Sequence, residues 1–526
     1  MAEGNPNETQ PPARKIRWWP AILILVAAVV GVVWVHAHTD WAFQKRNLTA
    51  APIILIAAFL LLVWWTFFSR VRLRLRLAIT FSFIGLLAAG AALFRIRGVS
   101  GDLVPILEFR FASRALPVVA PAVVSRATTD STVQRFTDST KSFPQFYGPD
   151  RNGILPGPRF ETNWIAHPPA ILWRHAVGAA WSGFAIVGDI CLTQEQRGED
   201  ECVVAYALTT GKQLWLHSDK AHYNNTIAGE GPRATPTVVS NRVFTFGATG
   251  ILNCFDLATG RRIWTRNVVT ESGGKIPGWG FASSPLLVDG LVIIHSAEST
   301  GHLLSAFHAE DGRPAWSGGT VSPGYASPSL ATLAGVRQVL AFTRPTVSGY
   351  DPATGATLWE LPWRSSDVVC ALPAVAGSNR VVFSSAYGFG AELIEISRDA
   401  AGKLSAQRLW KSIRMKSKFA HIFVHDGCLF GLDDGMFACV DLKDGSQRWK
   451  EGRYGHGQGL LVGDLYLLMA ETGELVLLRP TPEAPNELAR FRVFGSKTWN
   501  PIALAGDLLL VRNDLEAACL RLKVLP

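Results

Sequence analysis

Five ten-residue stretches of this chain are variants of one phrase: YALTTGKQLW, FDLATGRRIW, FHAEDGRPAW, YDPATGATLW and VDLKDGSQRW. No other feature constrains the fold as much, because a unit that returns at a steady interval folds as a unit. The closing tryptophans and one more, Trp215, Trp264, Trp316, Trp359, Trp410 and Trp449, are separated by 49, 52, 43, 51 and 39 residues. A glycine stands four residues before five of the six: Gly211, Gly260, Gly312, Gly355 and Gly445. Between these landmarks run short alternating apolar stretches such as SPLLVDGLVIIHSA and LYLLMAETGELVLL. Period-two alternation with a turn every 8–12 residues or so predicts antiparallel strands. A four-stranded unit of about 40–50 residues is one blade of a β-propeller.

Eight blades follow. Six end at the tryptophans above, and a seventh runs from Leu460 to about Phe494 with RFRVF as its outer strand. The C-terminal NPIALAGDLLLVRNDLEAACLRLKV supplies only three strands. The fourth is expected from AILWRHAV, Ala170–Val177, with Trp173 in the tryptophan position. Pairing this first strand with the last three closes the ring and removes an exposed edge. Within a blade, the TG or DG pair turns between the third and fourth strands, where glycine tolerates positive φ. The tryptophan seals the outer strand against the next blade, and its indole N–H needs an acceptor there. Ten residues before it stands a small residue (Ala205, Cys254, Ala306, Gly349 or Cys439), as a tight seam requires.

The chain is basic, at +9, but the charge is not spread evenly. Residues 1–100 hold eleven Lys/Arg against three Asp/Glu, leaving 40 against 39 in the rest. A nucleic-acid partner is therefore not expected. The excess flanks three uncharged apolar runs, 18–36, 50–68 and 77–94, each near the ~20 residues that cross ~30 Å of hydrocarbon. A cleaved signal peptide accounts for one such run, not three. Arg14, Lys15 and Arg17 precede the first run, and Arg70, Arg72, Arg74 and Arg76 separate the second from the third. Only Lys45 and Arg46 lie between the first and second, so the positive-inside rule puts the N-terminus in the cytoplasm and everything beyond run three outside. The expected organisation is an anchor over 1–97, a linker over 98–142 and a propeller over 143–526, in a bacterium anchored at the inner membrane and facing the periplasm.

The repeats resemble the tryptophan-docking motif A-x-D-x-x-T-G-K-x-x-W of the pyrroloquinoline-quinone (PQQ) propellers. Cys254, Asp256, Thr259, Gly260 and Trp264 match it, as do Asp351, Thr354, Gly355 and Trp359. BamB-type proteins, eight-bladed scaffolds of outer-membrane protein assembly, share the repeat. FPQFYGPDRNGILPG, ILWRHAVG and GEGPRATPTV are similar to stretches of bacterial PQQ-like propellers. The resemblance implies an all-β, eight-bladed propeller behind three transmembrane helices, and either of two functions. One is a non-catalytic, BamB-like binding or scaffold module with envelope proteins or a small ligand as partners. The alternative is a quinoprotein dehydrogenase that oxidises an alcohol or sugar with PQQ and calcium. The family's enzymes cover the quinone with a disulfide between adjacent cysteines, and this chain has no such pair. A scaffold without cofactor is the expectation.

Catalytic residues are not assignable from sequence, and no zinc motif is present. Cys191 and Cys202 flank the turn TQEQRGEDE and are placed for a hairpin disulfide, whereas Cys254, Cys439 and Cys519 occupy seam positions. His421 and His425 lie four apart, about 13 Å on a strand, too far to share a metal. A ligand site is expected where the innermost strands begin, since the connections between blades gather there. The candidates are Trp181, Tyr223, Arg233, Lys275, Trp279, Tyr325, His421, His456 and Trp499. The basic run KSIRMKSK, 411–418, is expected as a solvated loop.

Overall fold

The computed structural model describes residues 16–38, 41, 43–111, 142–365 and 368–526. It divides into two compact units, Met1–Ser113 and Arg114–Pro526. In the first, three helices are long and apolar enough to cross a membrane: Trp19–Ala37, Phe43–Phe68 and Leu73–Leu93. The second and third begin earlier than their apolar runs, so Lys45, Arg46, Arg74 and Arg76 sit in first helical turns rather than in loops. Arg14 and Lys15 lie outside the described residues. The chain passes from Leu93 straight into a hairpin, Phe94–Val99 with Pro105–Phe109. Residues 98–109, read from sequence as linker, thus begin as folded hairpin, and 112–141 lie outside the described residues.

The second unit is an eight-bladed propeller of antiparallel, mainly four-stranded sheets. From innermost to outermost strand, blade 1 spans Ala185–Val187 to Gln213–Lys220 and blade 2 Thr237–Val239 to Arg262–Asn267. Blade 3 spans Leu286–Val288 to Pro314–Gly318, and blade 4 Ser329–Leu333 to Thr357–Pro362. Blade 5 spans Ala374–Val375 to Leu404–Ser412, and blade 6 Ile422–His425 to Gln447–Arg453. Blade 7 spans Gln458–Val462 to Glu487–Arg492. In blade 8, three C-terminal strands are completed by Ala170–Ala176, with Trp173 opposite Cys519. The ring closes as the sequence requires.

The apolar core lies in the seams, and the repeat explains why. Each small residue faces its own tryptophan across the hairpin: Ala205 opposite Trp215, Cys254 opposite Trp264, Ala306 opposite Trp316, Gly349 opposite Trp359 and Cys439 opposite Trp449. The glycine of one blade receives the tryptophan of the blade before. A Cβ on Gly260 would sit 2.5 Å from Trp215, and Gly211, Gly312, Gly355 and Gly445 meet Trp173, Trp264, Trp316 and Trp410 in the same way. The indole N–H of Trp215 donates to Leu257 O at 2.9 Å, and those of Trp173, Trp264, Trp316, Trp410 and Trp449 also reach a carbonyl of the following blade. Trp359 differs: its N–H donates to Gln338 of its own blade. Gly260→Ala should therefore destabilise the propeller by about 2–4 kcal/mol, since its φ of +69° adds strain to the clash. Urea unfolding followed by tryptophan emission checks this.

A candidate binding mouth above a filled channel

Eight innermost strands surround a central channel, and short side chains stitch them together at its entrance. Gly183 N donates to Thr235 Oγ1 (3.1 Å), Thr235 N to Ser284 Oγ (2.9 Å) and Ser284 N to Ser327 Oγ (2.9 Å), linking blades 1 to 4. Asn500 ties blade 8 to blade 1 through Ala180 O (2.9 Å) and Ser182 O (2.8 Å). Each residue sits just before an inner strand, where a backbone amide would otherwise be buried without a partner.

The channel itself is occupied by the chain's own FPQFYGPDRNGIL. Phe143 pairs with Ile186 of blade 1, and Pro144 O accepts from Val238 N of blade 2 at 2.8 Å. Tyr147 donates to Gln458 of blade 7 (2.5 Å). The buried Arg151 guanidinium donates to Ser284 O (2.5 Å), Pro285 O (3.0 Å) and Pro328 O (2.9 Å) of blades 3 and 4. Ile154–Leu155 then adds a parallel strand to blade 7. Gly153, at φ +68°, leaves room for the ring of His421, whose Nε2 lies 2.6 Å from Asn152 O. One segment thus touches blades 1, 2, 3, 4, 6 and 7.

The predicted site residues sort into three places. His421 belongs to the filled channel, not to an open surface. Lys275 is exposed in the connection between blades 2 and 3, where its backbone bridges to Glu298. The other seven gather at the mouth in two groups, with Trp181 and His456 buried among them. In the first, Trp181 and Trp499 lie 5.0 Å apart, Phe419 packs 5.3 Å from Trp499 and 6.1 Å from His456, and the Lys497 ammonium lies over Trp499 at 3.9 Å. In the second, Arg233 stacks on Tyr223 (4.4 Å) and Tyr325 on Trp279 (5.5 Å), while Tyr223 Oη donates to Gly278 O at 2.8 Å. Trp181 joins the groups by lying against Gly229 of the loop that carries Tyr223 and Arg233. Sequence reasoning missed Phe419 and Lys497, which no periodicity marks.

Burial sets the electrostatics. It pulls the Arg233 guanidinium down to about 10 and pushes the Tyr325 phenol up to about 12, so one stays cationic and the other neutral near pH 7. Burial also raises Glu201, whose carboxylate accepts from Ala248 N at 2.8 Å. The basic run 411–418 departs from expectation: Lys416 and Lys418 are buried, Lys416 paired with Asp433 (2.9 Å) and Lys418 over the Tyr387 ring. Asp433, which Lys450 also contacts at 3.0 Å, makes that burial tolerable. The expected disulfide is not formed either. Cys191 faces Tyr206 and Cys202 faces Glu195, four residues further along the ladder, so both thiols stay free and buried. A bridge requires Cα atoms within about 7 Å.

Two imidazoles, His421 and His295, are held down to about 4 by burial. The unfolded chain takes up a proton at each near pH 6.5, which the folded chain refuses until about 4. Stability should therefore fall as pH drops through that window, by about 2–3 kcal/mol per histidine. Urea titrations at several pH values check it, and His421→Phe should flatten part of the slope.

The family model described as outer membrane protein assembly factor BamB matches residues 171–282 and 199–451, together more than half of the chain. The chain belongs to this family. Comparison with curated proteins finds no match. Among solved structures, the propeller is similar to the quinohemoprotein alcohol dehydrogenase of Comamonas testosteroni, with TM-score 0.55, 11% identity, and 76% of this chain and 83% of that one covered. The alcohol dehydrogenase ADHIIG of Pseudomonas putida HK5 gives TM-score 0.53 at 10% identity over 76% and 83%. BamB from Moraxella catarrhalis gives 0.49 at 13% identity over 67% and 99%. At these identities the shared property is the fold, which serves both scaffolds and dehydrogenases.

Proposed function

We propose that this chain is a non-catalytic binding module, held at the bacterial inner membrane by its three apolar helices with the propeller in the periplasm. Its binding surface is the aromatic and cationic mouth, which takes an envelope protein or a small ligand. The observation that carries this reading is the filled channel. With the buried Tyr147, Arg151 and His421 packed into it, the channel beneath the mouth is filled by the chain's own side chains. Rings of tryptophan and tyrosine with flanking cations suit partner recognition.

A quinone with calcium fits these residues poorly. The channel level is taken by the chain's own segment, the cysteines are dispersed, and the buried Glu201 is committed to Ala248 N and Thr249 Oγ1. The test adds PQQ and calcium to the full-length protein in nanodiscs and follows cofactor absorbance and dye reduction with alcohols and sugars. In parallel, envelope proteins are crosslinked to the wild type and to a Trp181→Ala/Trp499→Ala variant. Partner capture that the variant loses, with no turnover, is expected. Saturable quinone binding with turnover would overturn the proposal.

A further inference from the structure

The repeat breaks twice at the seam between blades 4 and 5. Among the described residues Trp359 finds no carbonyl in the following blade, and Ala406 stands four residues before Trp410, where blades 1, 2, 3, 4 and 6 place glycine. The outer hairpin of blade 5, Gly390–Arg398 with Leu404–Ser412, has nine-residue strands, longer than those of any other blade. At this seam lies a cavity of about 350 Å³ lined by Leu361, Pro362, Trp363, Arg364, Phe389, Arg408 and Lys411. Its floor is apolar. Trp363 is buried, donates to Ser385 Oγ at 3.3 Å, and stacks on Phe389 at 4.5 Å.

Its rim is cationic. Arg364, Arg408 and Lys411 line the opening, and Arg408 and Lys411 contact Glu392, which is fully buried. Glu392 holds Arg408 at 2.6 Å and Lys411 at 3.4 Å, and Pro362 O fixes a second nitrogen of Arg408 at 3.0 Å. Arg408 is thus held in place, and among the described residues three cations line the recess beside one carboxylate. An anion entering here meets these three cations beside an aromatic wall, in a recess of small-ligand size.

We infer that this seam is a second binding site, separate from the mouth, for an organic carboxylate with a compact apolar body. The carboxylate pairs with Arg364 and Arg408 while the body packs on Phe389 and Leu361. Such a group is found in a free small acid and at a polypeptide C-terminus ending in an apolar residue.

The test titrates the full-length protein in nanodiscs with N-acetylphenylalanine, its neutral amide and phenylacetate, using calorimetry or saturation-transfer NMR. The acid should bind at least about tenfold more tightly than the amide, and binding should weaken as ionic strength rises toward the molar range. Arg364→Gln, at an exposed residue, should weaken it about tenfold with unchanged urea unfolding. Phenylacetate binding as well as the longer acid points to a free ligand, and a clear preference for the N-acylated acid points to a chain end. Either supports the site. Equal affinity for acid and amide, no saturable binding, or salt-independent binding would overturn it.

Discussion

Arg151→Met should lower the unfolding free energy of the propeller by about 3–5 kcal/mol, the range for breaking a buried charged network. The guanidinium is 4% exposed and donates to three carbonyls of blades 3 and 4 and to Gln145 Oε1 at 3.2 Å. Burial draws its pKa down to about 9, which still leaves it charged at neutral pH. No carboxylate shares these bonds; peptide dipoles carry the charge. Methionine fills much of the volume but leaves the carbonyls of Ser284 and Pro328 without their arginine donors in a place water reaches poorly, while Pro285 O keeps Thr237 Oγ1 at 2.6 Å; each unpaired group costs about 1–3 kcal/mol. Arg151→Lys should recover only a part, because one ammonium cannot span three acceptors held in a fixed fork. Urea unfolding of the full chain, followed by tryptophan emission, gives the value. A loss under about 1 kcal/mol would mean the channel segment is not held as described.

Glu195→Leu should cost about 3–5 kcal/mol and act where the ring closes. Glu195 is fully buried on blade 1, and burial alone would raise its pKa. The Arg197 and Arg512 guanidiniums instead hold it below the usual carboxylate range. It accepts from Tyr206 Oη (2.6 Å), Arg197 (2.9 Å) and Gly178 N (2.9 Å). Arg512 of blade 8 reaches across the same seam to Thr193 Oγ1 (2.7 Å), Gln194 O (3.0 Å) and Gly178 O (2.7 Å). Leucine leaves Arg197 and the buried Arg512 without the carboxylate they share, with Asp514 the remaining acid near Arg512. Glu195→Gln keeps the shape and some of the bonds, and should cost only about 1–3 kcal/mol. Because this seam also holds Trp173, the leucine variant should loosen the strand Ala170–Ala176 first, visible as faster hydrogen exchange there before global unfolding.

The blades were legible because their signal is periodic: the same turn glycine and the same tryptophan recur, and the short count at the C-terminus demands the early strand at Trp173. The channel filling was not. Its contacts join Tyr147 to Gln458, 311 residues away, and Arg151 to Pro328, 177 away, and nothing local in FPQFYGPDRNGIL marks a segment that threads a ring. Trp359 shows a subtler limit. It carries the full phrase, yet its docking glycine belongs to the next blade, where Ala406 stands, so the exception is invisible within its own repeat. Lys416 and Lys418 read as solvent-facing because their compensating partners come from other elements, Asp433 for the first and Tyr387 for the second. Cys191 and Cys202 failed on register: flanking one turn does not make two residues opposite, and the ladder places them four residues apart.

Amide hydrogen exchange across residues 143–155 of the intact chain tests most directly whether the propeller's axis is sealed from within. The amides of Gly148, Arg151 and Gly153 are bonded inside the segment, to Gln145 O, Gly148 O and Tyr147 O, and Leu461 N of blade 7 donates to Gly153 O. The segment should therefore exchange as slowly as the inner strands Gln458–Val462 and Leu286–Val288. Exchange at the rate of a free peptide, with those strands still protected, would mean an open channel, and the case for a binding face rather than a deep cofactor pocket would fall with it.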